Sequence, residues 1–175
     1  MSSDLINEDF PREGQLLGVD YGTVRVGLAI STREQNIASP LEIYNRRSEH
    51  QDGRYFAELV ADYRIKGLVV GLPMHVNGEE GESARHAREY GHWLAEVTGG
   101  LPILFWDERY TSAVAEDHLI GVDLTRKQRK KRLDMIAAQI ILQAYLDTTA
   151  KREQIAREEA ESSEQDEEDE TTADS

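Results

Sequence analysis

Three acidic residues far apart in the chain stand where a fold could bring them together. Asp20 closes the apolar segment "QLLGVD", Glu108 follows directly on "LPILFWD", and Asp134 precedes "MIAAQIILQAYL". A buried strand has little reason to end in carboxylates unless something at its tip needs them. Two unit charges about 5 Å apart, at an effective dielectric near 20, repel by ~3 kcal/mol, so a cation must hold such a group together. The chain has no cysteine and no histidine at ligand spacing, and oxygen-only ligands favour Mg²⁺ or Mn²⁺ over zinc. Two such ions ~3.5–4 Å apart, shared by acids, form the arrangement that cuts phosphodiesters, one activating the attacking water and the other stabilising the leaving oxygen. Each acid alone has a plainer reading. Asp20 before Tyr21-Gly22 suits a turn, Asp107 and Glu108 suit a helix cap or a pair with Arg109, and Asp134 can pair with Lys130 or Lys131 one turn earlier. Their conjunction favours a shared site.

A second feature lies just upstream of Asp134. In "TRKQRKKRLD" six of the seven residues from Arg126 to Arg132 are basic: Arg126, Lys127, Arg129, Lys130, Lys131 and Arg132. Thr125 and Gln128 have the spacing of a capping box, which starts a helix there. Beside a metal site such a run suits phosphate-backbone contacts, which position nucleic acid without reading its sequence. The alternative is a solvated basic face paired with the acidic segment at the end of the chain. "GLPMHVNGEEGES" is either a phosphate-holding loop before a helix or a plain connector.

These residues need a scaffold to position them. "QLLGVDYG" reads as a strand, and "VRVGLAIS" alternates as its hairpin partner. "NIASPLEIY" is a third strand, placed near an edge by Pro40. Phe56, Leu59, Val60 and Tyr63 recur at helical spacing. "GLVVGLP" and "LPILFW" are short continuous apolar runs of the buried parallel kind, separated by the amphipathic "SARHAREYGHWLAEV". Thr111 is placed to cap a short helix through about Leu119, and "LDMIAAQIILQAYLD" is a strong final helix whose Ala137-Ala138 pair would allow close approach to the sheet. The expected fold is α/β: a mixed five-stranded sheet, three antiparallel strands then two parallel, with helices on both faces. Functional groups in such sheets gather at the carboxyl ends of the strands, where Asp20 and Glu108 stand.

Charge is uneven along the chain. Of a net −14, residues 151–175 contribute −8, from eleven acids and three bases. The expected organisation is a flexible extension over 1–14, one domain over 15–150, and an acidic disordered tail over 151–175 that competes with nucleic acid for the basic run. The N-terminus lacks the charged and apolar regions of a signal peptide, and no apolar run approaches the ~20 residues that span a bilayer. A cytoplasmic protein without membrane contact is expected.

Taken together, "GVDYGTVRVGLAIS", "VVGLPMHVNGEEG", "DERYTS" and "RLDMIAAQIILQAYL" resemble, in order, four signatures of the YqgF/RuvX family, collinear from about Leu16 to Asp147. Its members are described as pre-16S rRNA nucleases and as Holliday junction resolvases. The resemblance implies an RNase H-like fold similar to RuvC, with Asp20, Glu108 and Asp134 as catalytic, metal-binding acids. It also implies that Arg25 and Arg109 support nucleic acid or the carboxylates, and that the chain is a hydrolase processing the 5′ end of pre-16S rRNA, in ribosome biogenesis and in contact with pre-30S particles. RuvC-type sites carry a fourth acid near the third, whereas here the last helix offers Asp134 and then only the distant Asp147. The alternatives are a Holliday junction resolvase acting on DNA, or an RNA- or ribosome-binding factor without catalysis. The chain could work as a monomer or a homodimer, and resolution of a junction would require the two-fold dimer. A phosphotransferase of the sugar-kinase kind would need about twice this length.

Overall fold

The computed structural model describes residues 9–111 and 125–172, with side chains described as far as residue 163. Five strands form one sheet: β1 (Leu16–Asp20), β2 (Arg25–Ser31), β3 (Ala38–Asn45), β4 (Gly67–Leu72) and β5 (Ile103–Asp107), in the spatial order β3-β2-β1-β4-β5. The first three pair antiparallel, and β4 and β5 add parallel to β1. This is the mixed sheet expected from the alternation and the apolar runs. β3 is an edge strand, and Pro40 lies opposite Ala29 where the β2–β3 register shifts, because a residue without an N–H cannot serve a central ladder.

Helices cover both faces. α1 (Glu49–Asp62) begins at a Ser48–Gln51 capping box, and with α2 (Glu82–Val97) it packs on Leu17, Val19, Val26, Leu28, Leu68 and Val70. α3 (Arg126–Thr172) crosses β1 to β4 on the opposite face, against Leu16, Ala29, Val69, Leu104 and Trp106. Strand side chains alternate, so successive residues of β1 serve different layers. Gly18 shows what the α3 side requires. A Cβ there would come 2.8 Å from Leu142 Cβ and 3.0 Å from the Ala138 carbonyl, so the glycine lets the helix backbone rest on the strand. No helix among the described residues is long and apolar enough to cross a membrane.

Two terminal segments differ from expectation. Residues 9–14 are docked: Phe10 is buried edge-on against Tyr145, and the Gln35 amide donates to the carbonyls of Pro11 and Gly14 at 3.1 and 3.0 Å. The acidic segment expected as disordered continues α3 as helix to Thr172. The packed stretch through Leu146 supplies the nucleus, and a run rich in Glu, Ala, Arg and Gln extends it without a new nucleation step. Arg12 meets Glu153 at 3.7 Å, and Gln154 donates to Glu158 one turn on at 2.9 Å. One consequence is geometric. Arg132 and Lys151 lie ~28 Å apart along a continuous helix, so the tail leads away from the basic run and does not fold back on it.

Candidate active site

Strand parity delivers the acids. In β1, Leu16 and Gly18 face α3, so Asp20 does too; in β5, Leu104 and Trp106 face α3, which makes Glu108 and not Asp107 the next residue on that side. Asp134 lies one turn before Ala138, which is buried against the sheet. Gly71 in β4 leaves the space the Glu108 carboxylate occupies, since a Cβ there would stand 2.5 Å from Oε1 and 2.6 Å from Ile141 Cδ1. Asp20, Glu108 and Asp134 thus line one cleft of about 200 Å³, walled by Thr111, Leu133, Ala137, Ile140 and Ile141.

The apolar wall sets the electrostatics. Burial, and secondly the charge of Asp134, push the Asp20 carboxyl up to about 6. Burial again, then Asp20 and Asp107, push Glu108 up to about 7. Both groups are therefore held where ionisation is unfavourable, the condition a bound cation relieves. Arg25, exposed at the start of β2, points Nη2 at Asp134 Oδ2 from 4.0 Å.

The adjacent acids at the tip of β5 have separate tasks. Asp107 accepts from the backbone N–H of Arg109 at 3.0 Å and from its Nε at 2.9 Å, closing the 3-10 turn Glu108–Tyr110. The far end of the same guanidinium donates to the Val76 carbonyl at 3.4 Å, in the loop between β4 and α2. Arg109 therefore engages a carboxylate and a neighbouring loop, and braces the turn that presents Glu108. Thr111, expected to cap a helix, donates its hydroxyl to the Glu108 carbonyl at 2.6 Å; the helix expected after it lies outside the described residues.

Sequence reasoning missed Arg46. Its guanidinium lies over the rings of Tyr21 and Tyr90, at 5.5 and 5.1 Å from their centroids, and donates to the carbonyls of Gly22 and Thr23 at 3.2 Å. It pins the β1–β2 turn that follows Asp20. No spacing rule could have found it, because its partners lie more than twenty residues away.

The basic run opens α3 as expected. Thr125 N–H donates to Gln128 Oε1 at 2.9 Å, and Gln128 N–H returns to Thr125 Oγ1 at 3.3 Å. Arg126, Lys127, Arg129, Lys130, Lys131 and Arg132 are all exposed, and none forms an ion pair with an acid among the described residues. Cations at a helix N-terminus oppose the macrodipole, so local helix stability does not account for them.

The donor chemistry suits a hard divalent cation, being three carboxylates and no sulfur or imidazole. As placed, no three acidic or histidine side chains among the described residues are gathered closely enough to hold an ion. Closing the set calls for side-chain movement, and Asp134, whose side chain is 43% exposed, has the room to make it.

Residues 14–148 match the family model described as "RuvX: Holliday junction resolvase". A protein of Rhodopirellula baltica named "Putative pre-16S rRNA nuclease" is 40% identical over 149 residues, covering 85% of this chain and 86% of its own. A protein of the same name from Caldanaerobacter subterraneus subsp. tengcongensis is 42% identical over 135 residues, 77% of this chain and 96% of its own. T. thermophilus RuvC, solved in complex with a Holliday junction substrate, aligns with a TM-score of 0.50 at 13% identity, covering 77% of this chain and 96% of that one. That likeness concerns the fold, which is RNase H-like.

Proposed function

The chain belongs to the RuvX family of nucleases and resolvases, and from that premise we propose that it is a divalent-metal-dependent nuclease of structured nucleic acid, its cellular task the processing of the 5′ end of pre-16S rRNA. One observation carries the catalytic part: acids from β1, from the turn after β5 and from α3 line a single cleft. Asp20, Glu108 and Asp134 would hold Mg²⁺ or Mn²⁺, which when bound supplies an activated water and charge stabilisation for the leaving oxygen. The chain's own residues do the rest. The apolar wall partly shields Asp20 and Glu108 from water, so that their charge attracts a cation more strongly. Arg25 orients Asp134, and Arg109 fixes the turn carrying Glu108. The run from Arg126 to Arg132 approaches the phosphate backbone next to the cleft, where it sets position and not sequence. The names of the relatives support RNA as substrate, and the family description supports a second reading, cleavage of four-way DNA junctions.

The test is a cleavage assay with Mg²⁺ or Mn²⁺ on structured RNA and on DNA four-way junctions. It compares the unaltered chain with Asp20→Asn, Glu108→Gln and Asp134→Asn, with circular dichroism to establish folding. Each variant is expected to stay folded and lose activity. Full activity in any one removes that residue from the site, and binding without cutting by the unaltered chain replaces the enzyme with an RNA-binding factor.

A further inference from the structure

A cationic recess lies at the other end of β1 from Asp20. Glu13, Gly14, Gln15, Arg33, Arg64 and Lys66 line a cleft of about 590 Å³, where the chain enters β1, leaves β2 and enters β4. Among the described residues, three bases face one acid there, in a chain whose net charge is −14. Arg33 meets Glu13 at 3.6 Å, while Arg64 and Lys66 form no ion pair among the described residues. The surplus charge is local and positive.

The cleft is also built with unusual backbone. Gln35 and Arg64, with φ of 56° and 54°, are the two non-glycine residues in the left-handed region among those described; Arg64 lines the cleft, and Gln35 lies outside its lining but bonds to Gly14, which lines it. Gln35 uses that conformation to donate its amide to Pro11 and Gly14, which fastens the wall strand; Gly14 itself has φ of 95°. Arg64 follows the α1 C-cap Tyr63, the position where glycine ordinarily ends a helix because it has no Cβ to clash. A bulky cation placed there is disfavoured by the fold and needs another reason. The walls are tied to each other: Gly14 N–H donates to the Arg33 carbonyl and Lys66 N–H to the Gln15 carbonyl, both at 2.8 Å. The Lys66 stem lies against Gly14, where a Cβ would come 2.5 Å from its Cγ. Charge and framework are therefore arranged in advance.

We propose that this recess between Gln15, Arg33, Arg64 and Lys66 is a second anion site that takes a phosphate group, separate from the acidic cleft and independent of the cleavage chemistry. No aromatic side chain among the described residues lines it, so it offers charge and no platform for stacking a base. The phosphate is carried either by a polynucleotide strand or by a small phosphate ester, and two measurements separate these sources.

The full chain carrying Glu108→Gln, so that substrate is not cut, is compared with the same chain carrying Arg64→Gly and Lys66→Gln in addition. Glycine suits the left-handed backbone, so the thermal midpoint is expected to hold or rise while binding falls. Fluorescence anisotropy with a labelled structured RNA is expected to show about tenfold weaker binding at low salt and a salt slope smaller by about two. Pyrophosphate is the second probe, expected to raise the thermal midpoint of the parent and not of the altered chain. Loss in the RNA arm identifies a polynucleotide, and loss in the pyrophosphate arm alone identifies a small ester. Unchanged RNA affinity and slope together with no pyrophosphate effect overturn the proposal. That outcome leaves the nuclease reading intact, since the reading is judged by cleavage in the unaltered chain.

Discussion

The two faces of the sheet are built from neighbouring residues of the same strands, yet they do opposite things. Toward α1 and α2 the register aligns Leu28, Val19, Val70 and Phe105 across four strands, a row of large apolar side chains. One residue back along β1, facing α3, the row is Ala29, Gly18, Val69 and Leu104. The first row fills space and the second leaves it. That space admits the α3 backbone with Asp134 on it, and the Glu108 carboxylate over Gly71. Both faces carry buried core, but only the face toward α3 also carries the candidate chemistry, and a period of two residues decides which side chains go there.

The sharpest way to break this division is a pair of substitutions of opposite sign. Glu108→Gln is expected to lower cleavage at least a hundredfold, an effect of about 3 kcal/mol on the barrier. In chelator the same change is expected to stabilise the fold. Glu108 titrates near 7 in the folded chain against 4.5 for the free side chain, so the folded state holds a proton that the unfolded state has released between those values. Stability then falls as pH rises from 4.5 to about 7, and the penalty is complete above that. Urea titrations of the two chains at pH 8 should differ by about 1–3 kcal/mol in favour of the glutamine and converge below pH 4.5. Leu17→Ala, on the other face of the sheet in the central strand β1, should instead lose about 2–5 kcal/mol and keep its activity per folded molecule. If the two variants behave alike, the faces are not separate in function.

An intermediate test falls on the boundary. Gly18→Ala adds one methyl where α3 rests on β1, and the new Cβ would stand 2.8 Å from Leu142 Cβ and 3.0 Å from the Ala138 carbonyl. Overpacking of this kind costs about 1–3 kcal/mol. Because the displaced helix carries Asp134, cleavage per folded molecule should fall as well, unlike in Leu17→Ala. Measuring both quantities on one preparation shows whether the glycine serves packing alone.

The same face divides what sequence could and could not reveal. The strands were legible because alternation and short apolar runs are local signals, and Asp20 and Glu108 stood out because carboxylates at strand tips conflict with burial. Thr125 and Gln128 announced the start of α3 through a spacing rule. Arg46 and Phe10 were not legible, since their partners come from distant segments. Arg109 was legible as a motif residue, but its engagement with Asp107 and Val76 depends on the 3-10 turn and on a loop thirty-three residues away. Composition set the tail apart as unable to build a core, and α3 nonetheless continues through it to Thr172, because an existing helix can be extended without one. Arg109→Gln checks the brace: the Val76 loop should exchange its amide hydrogens faster, with a severalfold loss of cleavage and no change in RNA affinity.

The smallest expected effect concerns the basic run, and its sign is informative. Lys127 lies in the first turn of α3, where a positive charge is unfavourable to the helix by about 0.3–1 kcal/mol. If the run is a solvated face, Lys127→Gln stabilises α3 slightly and leaves nucleic-acid binding unchanged. If it contacts phosphate, the same substitution still stabilises the helix but weakens binding about uniformly across sequences, and lowers the salt slope by about 0.9 for one lost contact with duplex. The two observables then move in opposite directions. A residue that weakens its own helix while strengthening a complex has been placed for the complex, whereas a stabilised helix with unchanged binding would return the run to the solvated surface.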